Sequence, residues 1–312
     1  MKLALIVFIL IVGTIAGIEI ALRGVLGLGN PLLYIADEEI GYLIAPNQKF
    51  RRLGNLIAIN QYSMRSPAIE KNPPDGTWRI LLLGDSVANG AWWTDGDETI
   101  SAQMTEQLQE TLLPGRTWST VEVLNASANS WGPRNELAFL RRMGSFGAHT
   151  VVLLINTDDL FAAAPNSLVV GRDRNYPDKK PVLALFELFN RYLLPAPSVP
   201  SAPKETGDVV EINLEAIRQI KVLTEENKTQ LLVAMTPLLR ETGEPGPRDY
   251  EQKARARLLE FTQREEIFYL DFLPIFNANQ EPGALYRDHI HLSPSGNRLV
   301  SETLSKAIRD RS

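Results

Sequence analysis

Five short apolar runs, spaced along one stretch of chain and separated by segments with helical periodicity, restrict this 312-residue sequence to few architectures. The clearest is TVVLLI at residues 150–155. The others are RILLL at 79–83, VEVL at 121–124, LLVAM at 231–235 and IFYL at 267–270. A strand with no polar alternation is buried on both faces, which is the condition of a parallel sheet covered by helices on each side. Between the runs, residues 98–112 place Ile100, Met104, Leu108 and Leu112 on one helical face, with Pro114 and Gly115 as the stop. Residues 133–146 read as a helix opened by Pro133, and 210–226, 248–264 and 294–308 as further helices. The alternation predicts an α/β fold: a three-layer α/β/α sandwich around a five-stranded parallel sheet. Ligands of such sheets bind at the carboxyl edge of the strands. One stretch breaks the rhythm. Residues 161–208, with NYPDKKP and LLPAPSVPSAP, are too long for a plain connection and are expected to be an insertion or lid over the site.

The amino terminus adds a second constraint. Residues 3–22 are apolar or small apart from Thr14 and Glu19. Twenty helical residues rise ~30 Å, the thickness of a bilayer's hydrocarbon core. The run exceeds the core of a cleaved signal peptide and no small-residue cleavage site follows it, so a signal anchor over residues 1–23 is expected. Glu19 and Arg23, four apart, are placed to pair at its outer end. Lys2 favours an inside amino terminus, with the bulk of the chain outside the cytoplasm. Residues 24–77 form an ordered extension, with apolar stretches such as LIAIN at 56–60, ending in the turn signal KNPPDG before a domain over 78–312.

Composition narrows the function. Net charge is −5, with no basic cluster, which argues against a nucleic-acid partner. The chain has no cysteine, so disulfides, thiolate metal sites and a cysteine nucleophile are excluded.

Two motifs carry chemistry. Gly84-Asp85-Ser86 directly follows a buried strand, where a serine hydroxyl faces a cleft at the carboxyl edge and its amide can meet a developing oxyanion. A serine needs a base, and the base an orienting carboxylate. Of the three histidines, His149 lies at the entry of the TVVLLI strand, at the wrong edge, and is assigned a structural role. Asp288 and His291 share one loop in an Asp-x-x-His spacing, with His289 at the rim between them. A metal site on Asp288, His289 and His291 lacks a further ligand cluster, so neither metal nor cofactor is expected.

GDSVANG, NASANSWGP and DHIHLSPSGN together resemble the SGNH/GDSL hydrolases, from about residue 78 to the C-terminus. The N-terminal anchor, PNQKFRRLGN and INQYSMRS resemble a membrane-anchored bacterial subgroup linked with cell-envelope or exopolysaccharide metabolism. The resemblance implies a flavodoxin-like sheet, Ser86 as nucleophile and first oxyanion donor, and His291 with Asp288 as base and orienter. It implies the amide of Ser130, where the family has glycine, as second oxyanion donor. The sequence departs at the third position. The family reads Gly-x-Asn-Asp after the third strand and uses the asparagine as a donor; here Asn156 stands for the glycine and Asp158 for the asparagine. An ionised Asp158 accepts hydrogen bonds and repels an oxyanion. Three readings stay open: Asp158 protonated through burial, Asn156 donating in its place, or activity low or lost, leaving a binding protein. Asn89, Trp92 and Trp93 follow the nucleophile and are candidate substrate-binding residues, the indoles as platforms for sugar rings. Arg65 of INQYSMRS is expected to pair on the surface rather than brace the active-site loop.

The function so implied is ester hydrolysis, most naturally of O-acetyl groups on an envelope or extracellular polysaccharide, by a deacetylase or acetyltransferase. A non-catalytic glycan-binding or assembly protein and a lysophospholipase or lipase are the alternatives.

Overall fold

In the computed structural model, residues 1–112, 117–200, 202 and 205–311 are described. The expected stop at Pro114 and Gly115 lies outside them. The five apolar runs form one parallel sheet. Its strands are β5 (Thr77–Gly84), β6 (Thr120–Ser127), β7 (Thr150–Asn156), β8 (Gln230–Thr236) and β9 (Phe268–Asp271), in the spatial order β6-β5-β7-β8-β9. That order reverses direction between β5 and β7, which makes their carboxyl ends the crevice where a ligand sits. The register brings Gly84 of β5 opposite Leu154, two residues short of the end of β7.

Helices cover both faces because the strands are apolar on both. Leu81, Leu83, Val151, Leu153 and Ile155 face α4 (Pro133–Met143), α6 (Val209–Glu226) and α7 (Asp249–Arg264). Ile80, Leu82, Val152 and Leu154 face α3 (Ile100–Thr111), α8 (Phe272–Asn277) and α9 (Pro294–Arg309). β6 continues past its apolar run to Ser127 because Asn125 finds buried partners. Its amide donates to Ala88 O (2.7 Å) and Ser101 Oγ (3.1 Å). The helix expected over 133–146 stops at Met143, where Gly144 takes φ +80°.

Residues 24–77 fold into two hairpins, β1 (Tyr34–Asp37) with β2 (Gly41–Ile44) and β3 (Gln48–Arg52) with β4 (Asn55–Ile59). Their inner residues Tyr34, Ile40, Ile44 and Ile57, with Met64 just after β4, belong to the same core as the α4/α6/α7 face of the sheet. The β3–β4 turn, Leu53-Gly54, has positive φ at both residues, the conformation that suits the twist of a hairpin. Ahead of the hairpins, α1 (Lys2–Gly24) stands out from the body with its apolar side chains before Leu22 exposed; by length and composition it is a candidate membrane span.

Candidate active site

β5 delivers Ser86 to the crevice. Gly84 ends the strand where a Cβ would meet Leu154 O at 2.6 Å and Ala88 Cβ at 2.7 Å, so only glycine lets the chain turn there. Asp85 caps the short helix α2 (Ser86–Asn89), its Oδ1 accepting from Val87 N at 2.8 Å. Ser86 is therefore the first helical residue, where backbone N–H groups have no partner within the helix.

The loop before α9 brings the base. His291 Nε2 lies 3.0 Å from Ser86 Oγ, and His291 Nδ1 lies 2.8 Å from Asp288 Oδ2. Asp288 Oδ1 also accepts the backbone N–H groups of Ile290 (3.0 Å) and His291 (2.9 Å), which fixes the loop. Partial burial pushes the Asp288 carboxyl up, but those N–H groups and the His291 side chain outweigh it and hold it below the usual carboxylate range. An ionised Asp288 keeps the proton on Nδ1, leaving the Nε2 lone pair aimed at the serine hydroxyl. Trp93 packs edge-on against the imidazole, ring centroids 4.6 Å apart, and the Arg287 guanidinium lies over the indole, 5.1 Å from its centroid. The set can abstract the Ser86 proton and return it to a leaving group. Among the described residues no cluster of potential metal ligands occurs.

Around this triad opens a cleft of about 860 Å³. Its walls come from three parts of the chain: Leu32, Tyr42 and Arg52 from the N-terminal extension, Ala162, Asn166 and Tyr176 from the long connection after β7, and Trp92, Trp93 and Ser130 from the sheet edge. Residues 162–177 thus flank the crevice directly.

The model of the GDSL-like lipase/acylhydrolase family matches residues 82–299, well over half of the chain. The chain belongs to that family. No curated protein matches it. Among solved structures, a GDSL-like lipase from Bacteroides thetaiotaomicron VPI-5482 is 11% identical, covering 75% of this chain and 89% of its own, with a TM-score of 0.45. An acetylxylan esterase from Geobacillus stearothermophilus is 13% identical, with coverages of 77% and 96% and a TM-score of 0.49. Identities this low say nothing about substrate. As a GDSL-like acylhydrolase, the chain has ester hydrolysis as its reaction class.

Against the motifs of this GDSL-like family, the oxyanion residues need correction. Asn156 ends β7 with its side chain fully engaged. Nδ2 donates to Asp85 Oδ2 (2.9 Å) and Asp159 Oδ2 (3.0 Å), and Oδ1 accepts from Asp158 N (2.8 Å). Both amide protons are spent, so Asn156 has none for an oxyanion. Asp158 is exposed on the cleft wall rather than buried. The buried acid of this loop is its neighbour Asp159. Burial first, then Asp85 and Glu136, push its carboxyl well above the usual range. Ser130 does line the cleft, at φ +56°, a left-handed conformation that explains glycine as the ordinary choice. Tyr176 Oη donates to Ser130 Oγ (2.8 Å), and Tyr42 Oη to Asn129 O (2.6 Å), so both added walls grip this loop. Neither the Asn156 nor the Asp158 side chain therefore supplies the donor that the family's asparagine gives.

Two further expectations are overturned. Asn89 is not a substrate residue: it is fully buried, donating to Ser127 O (3.3 Å) and Ser127 Oγ (3.2 Å), and does not line the cleft. Arg65 is not on the surface. Its guanidinium is buried and donates to three carbonyls of the loop after the nucleophile, Asn89 O (2.6 Å), Ala91 O and Thr94 O. Burial pulls it down to about 10, against the attraction of Asp95. That loop carries Trp92 and Trp93, so Arg65 braces the cleft wall. His149 sits at the amino edge, its Nδ1 accepting from Arg79 N (3.3 Å) and its ring against Trp118. His289 is exposed at the rim.

Sequence reading missed the acids behind Ser86. Glu136, on the first turn of α4, is fully buried, with neither carboxylate oxygen hydrogen-bonded. Burial first, then Asp85, pushes it well above the usual range. Its place in a charged helix segment, PRNELAFLRRM, gives no hint of burial.

Proposed function

We propose that the protein is a serine esterase that removes small acyl groups, O-acetyl above all, from an envelope or extracellular polysaccharide, held at a membrane by its N-terminal helix with the cleft outside the cytoplasm. The observation that carries the reading is the hydrogen-bonded series Ser86–His291–Asp288, at 3.0 and 2.8 Å, opening into a large cleft. Ser86 attacks the ester carbonyl while His291 takes its proton. The Ser86 and Ser130 amides receive the oxyanion. The tetrahedral intermediate collapses, His291 gives the Ser86 proton to the departing sugar oxygen, and water, activated by the same base, then releases the acid. If a second sugar hydroxyl reaches the acyl-serine first, the same steps give a transferase.

Trp92 and Trp93, edge to face at 5.4 Å and both on the cleft wall, support a saccharide as the alcohol half. The lining around Ser86 mixes Asp, Asn, Ser and aromatic side chains, which suits a short acyl chain better than a long one. The test is labelling of the full-length protein in detergent with a fluorophosphonate, beside Ser86→Ala and His291→Ala, followed by release of acetate or palmitate from matched nitrophenyl esters and of acetate from acetylated glycans. Labelling that both substitutions abolish, with acetate released faster than palmitate, is expected. A folded wild type that does not label gives the lead to a glycan-binding role, which the engaged Asn156 and the exposed Asp158 favour. Preference for palmitate gives it to a lipase.

A further inference from the structure

Outside α1, large exposed apolar side chains concentrate in one place. Val182, Phe186, Phe189, Tyr192, Leu193 and Leu194 all fall within residues 182–194 and are 49–89% exposed. The segment is α5 (Ala184–Leu188), continued by one wide helical turn, Phe189–Leu193. Its inner side is anchored: Ala184 and Glu187 are buried, and Glu187 accepts from Arg52 (2.6 Å) and from Gly29 N (2.6 Å). Its outer side has no cover among the described residues.

What covers it follows from where it is docked. Glu19 of α1 accepts the N–H groups of Ala184 (2.7 Å) and Leu185 (3.1 Å), Arg23 donates to Val182 O (2.7 Å), and Leu22, Leu28 and Ala184 form one apolar cluster. At ~1.5 Å per residue, the twenty residues from Leu3 to Leu22 span the ~30 Å of a hydrocarbon core. The segment is therefore held to the last turns of α1, at the level where that helix leaves the lipid. An interfacial helix buries its apolar face ~5–10 Å into the boundary between headgroups and acyl chains, with aromatic rings at that depth and basic residues beside it. Phe186, Phe189 and Tyr192 supply the rings, and the exposed Lys179 and Lys180 the charge.

We propose that residues 182–194 lie in the membrane interface as a second, monotopic contact with the lipid bilayer, a proposal that rests on α1 spanning that bilayer. Arg191, on the same segment, lines the cleft. The contact therefore holds one wall of the site against the membrane surface and fixes its height, where α1 alone leaves the body free to tilt.

The absence of native cysteine permits single labels. Phe189→Cys, Leu10→Cys and Tyr250→Cys, each carrying a bimane, are placed in the full-length protein in vesicles of zwitterionic and anionic phospholipid, with the thermal midpoint of each checked against the wild type. Doxyl-labelled lipid should quench the labels at 10 and 189, and iodide only the label at 250. Quenching at 189 by iodide and not by lipid overturns the proposal. Shielding at 189 from both quenchers also overturns it, and points to a second copy of the chain on this face. A label at 10 that lipid does not quench removes the anchor itself and the proposal with it, a result separable from the other two.

Discussion

Among the residues that differ from the family pattern, Asp158 carries the sharpest prediction about turnover. As an exposed carboxylate on the cleft wall it adds no donor, and Asn156 beside it has both amide protons engaged. Removing one oxyanion donor costs ~10²–10³ in rate in enzymes that have it. Asp158→Asn should therefore raise kcat on a nitrophenyl acetate, by ~10-fold or more, with little change in KM; an unchanged kcat would show that position 158 does not face the oxyanion. Glu136 makes a different prediction. Its folded pKa is raised, so at a pH between the unfolded value and the folded one the native state binds the extra proton. Stability is then greatest below the unfolded pKa and falls as pH rises through the folded pKa. Glu136→Gln removes that titration without changing shape. Its thermal midpoint should exceed that of the wild type at pH 8 and converge with it near pH 4. A wild-type midpoint no more sensitive to pH between 4 and 8 than that of the variant would contradict the assignment.

At the scale of elements, the loop from Gly90 to Asp95 illustrates how the site is held. It has left-handed residues at Gly90 and Ala91 and presents two indoles to the cleft. Its carbonyls converge on one planar guanidinium from the hairpin region. Hydrogen bonds to a charged group are worth ~1.5–3 kcal/mol each. Arg65→Ala should lower stability by ~3 kcal/mol and kcat at least tenfold, because Trp93 no longer packs on His291. Arg65→Lys should not restore either, since one ammonium cannot serve three carbonyls in a fork. Denaturant unfolding and steady-state kinetics on both variants test this. The apolar pattern at 79–83 and 150–155 made β5 and β7 legible, because strands buried on both faces leave no polar alternation. The hairpins were not legible as hairpins. Their strands have four or five residues each, and their burial comes from the sheet domain rather than from their own sequence.

For the molecule as a whole, the extension and the connection after β7 meet each other as well as the sheet. One join is Arg52 of β3 with Glu187 of α5, 2.6 Å apart and both buried. Trp92 lies under the same guanidinium, at 5.3 Å. Breaking a buried pair by deleting one partner leaves an uncompensated charge, at ~3–5 kcal/mol. Glu187→Ala should cost about that much by denaturant unfolding and loosen the Arg191 wall, whereas a loss under ~1 kcal/mol would mean that water reaches Arg52 when the acid is gone. The same substitution removes the acceptor of Gly29 N, which joins α1 to the first hairpin. The orientation of the body relative to the anchor should change with it.

The sequence by itself determined the parallel sheet, the helices on both faces and the partners Ser86, Asp288 and His291. Each of these depends on local information: unbroken apolar runs, a glycine-ended strand, and an aspartate three residues before a histidine. Only the tertiary structure decided the rest. Asn156 is spent on Asp85 and Asp159, Arg65 is turned inward, Asn89 is buried, and residues 31–52 and 162–177 build the cleft. Those outcomes depend on which side chain meets which across tens of residues. A polar residue's role follows from the partner that satisfies it, and the sequence does not print that partner beside it.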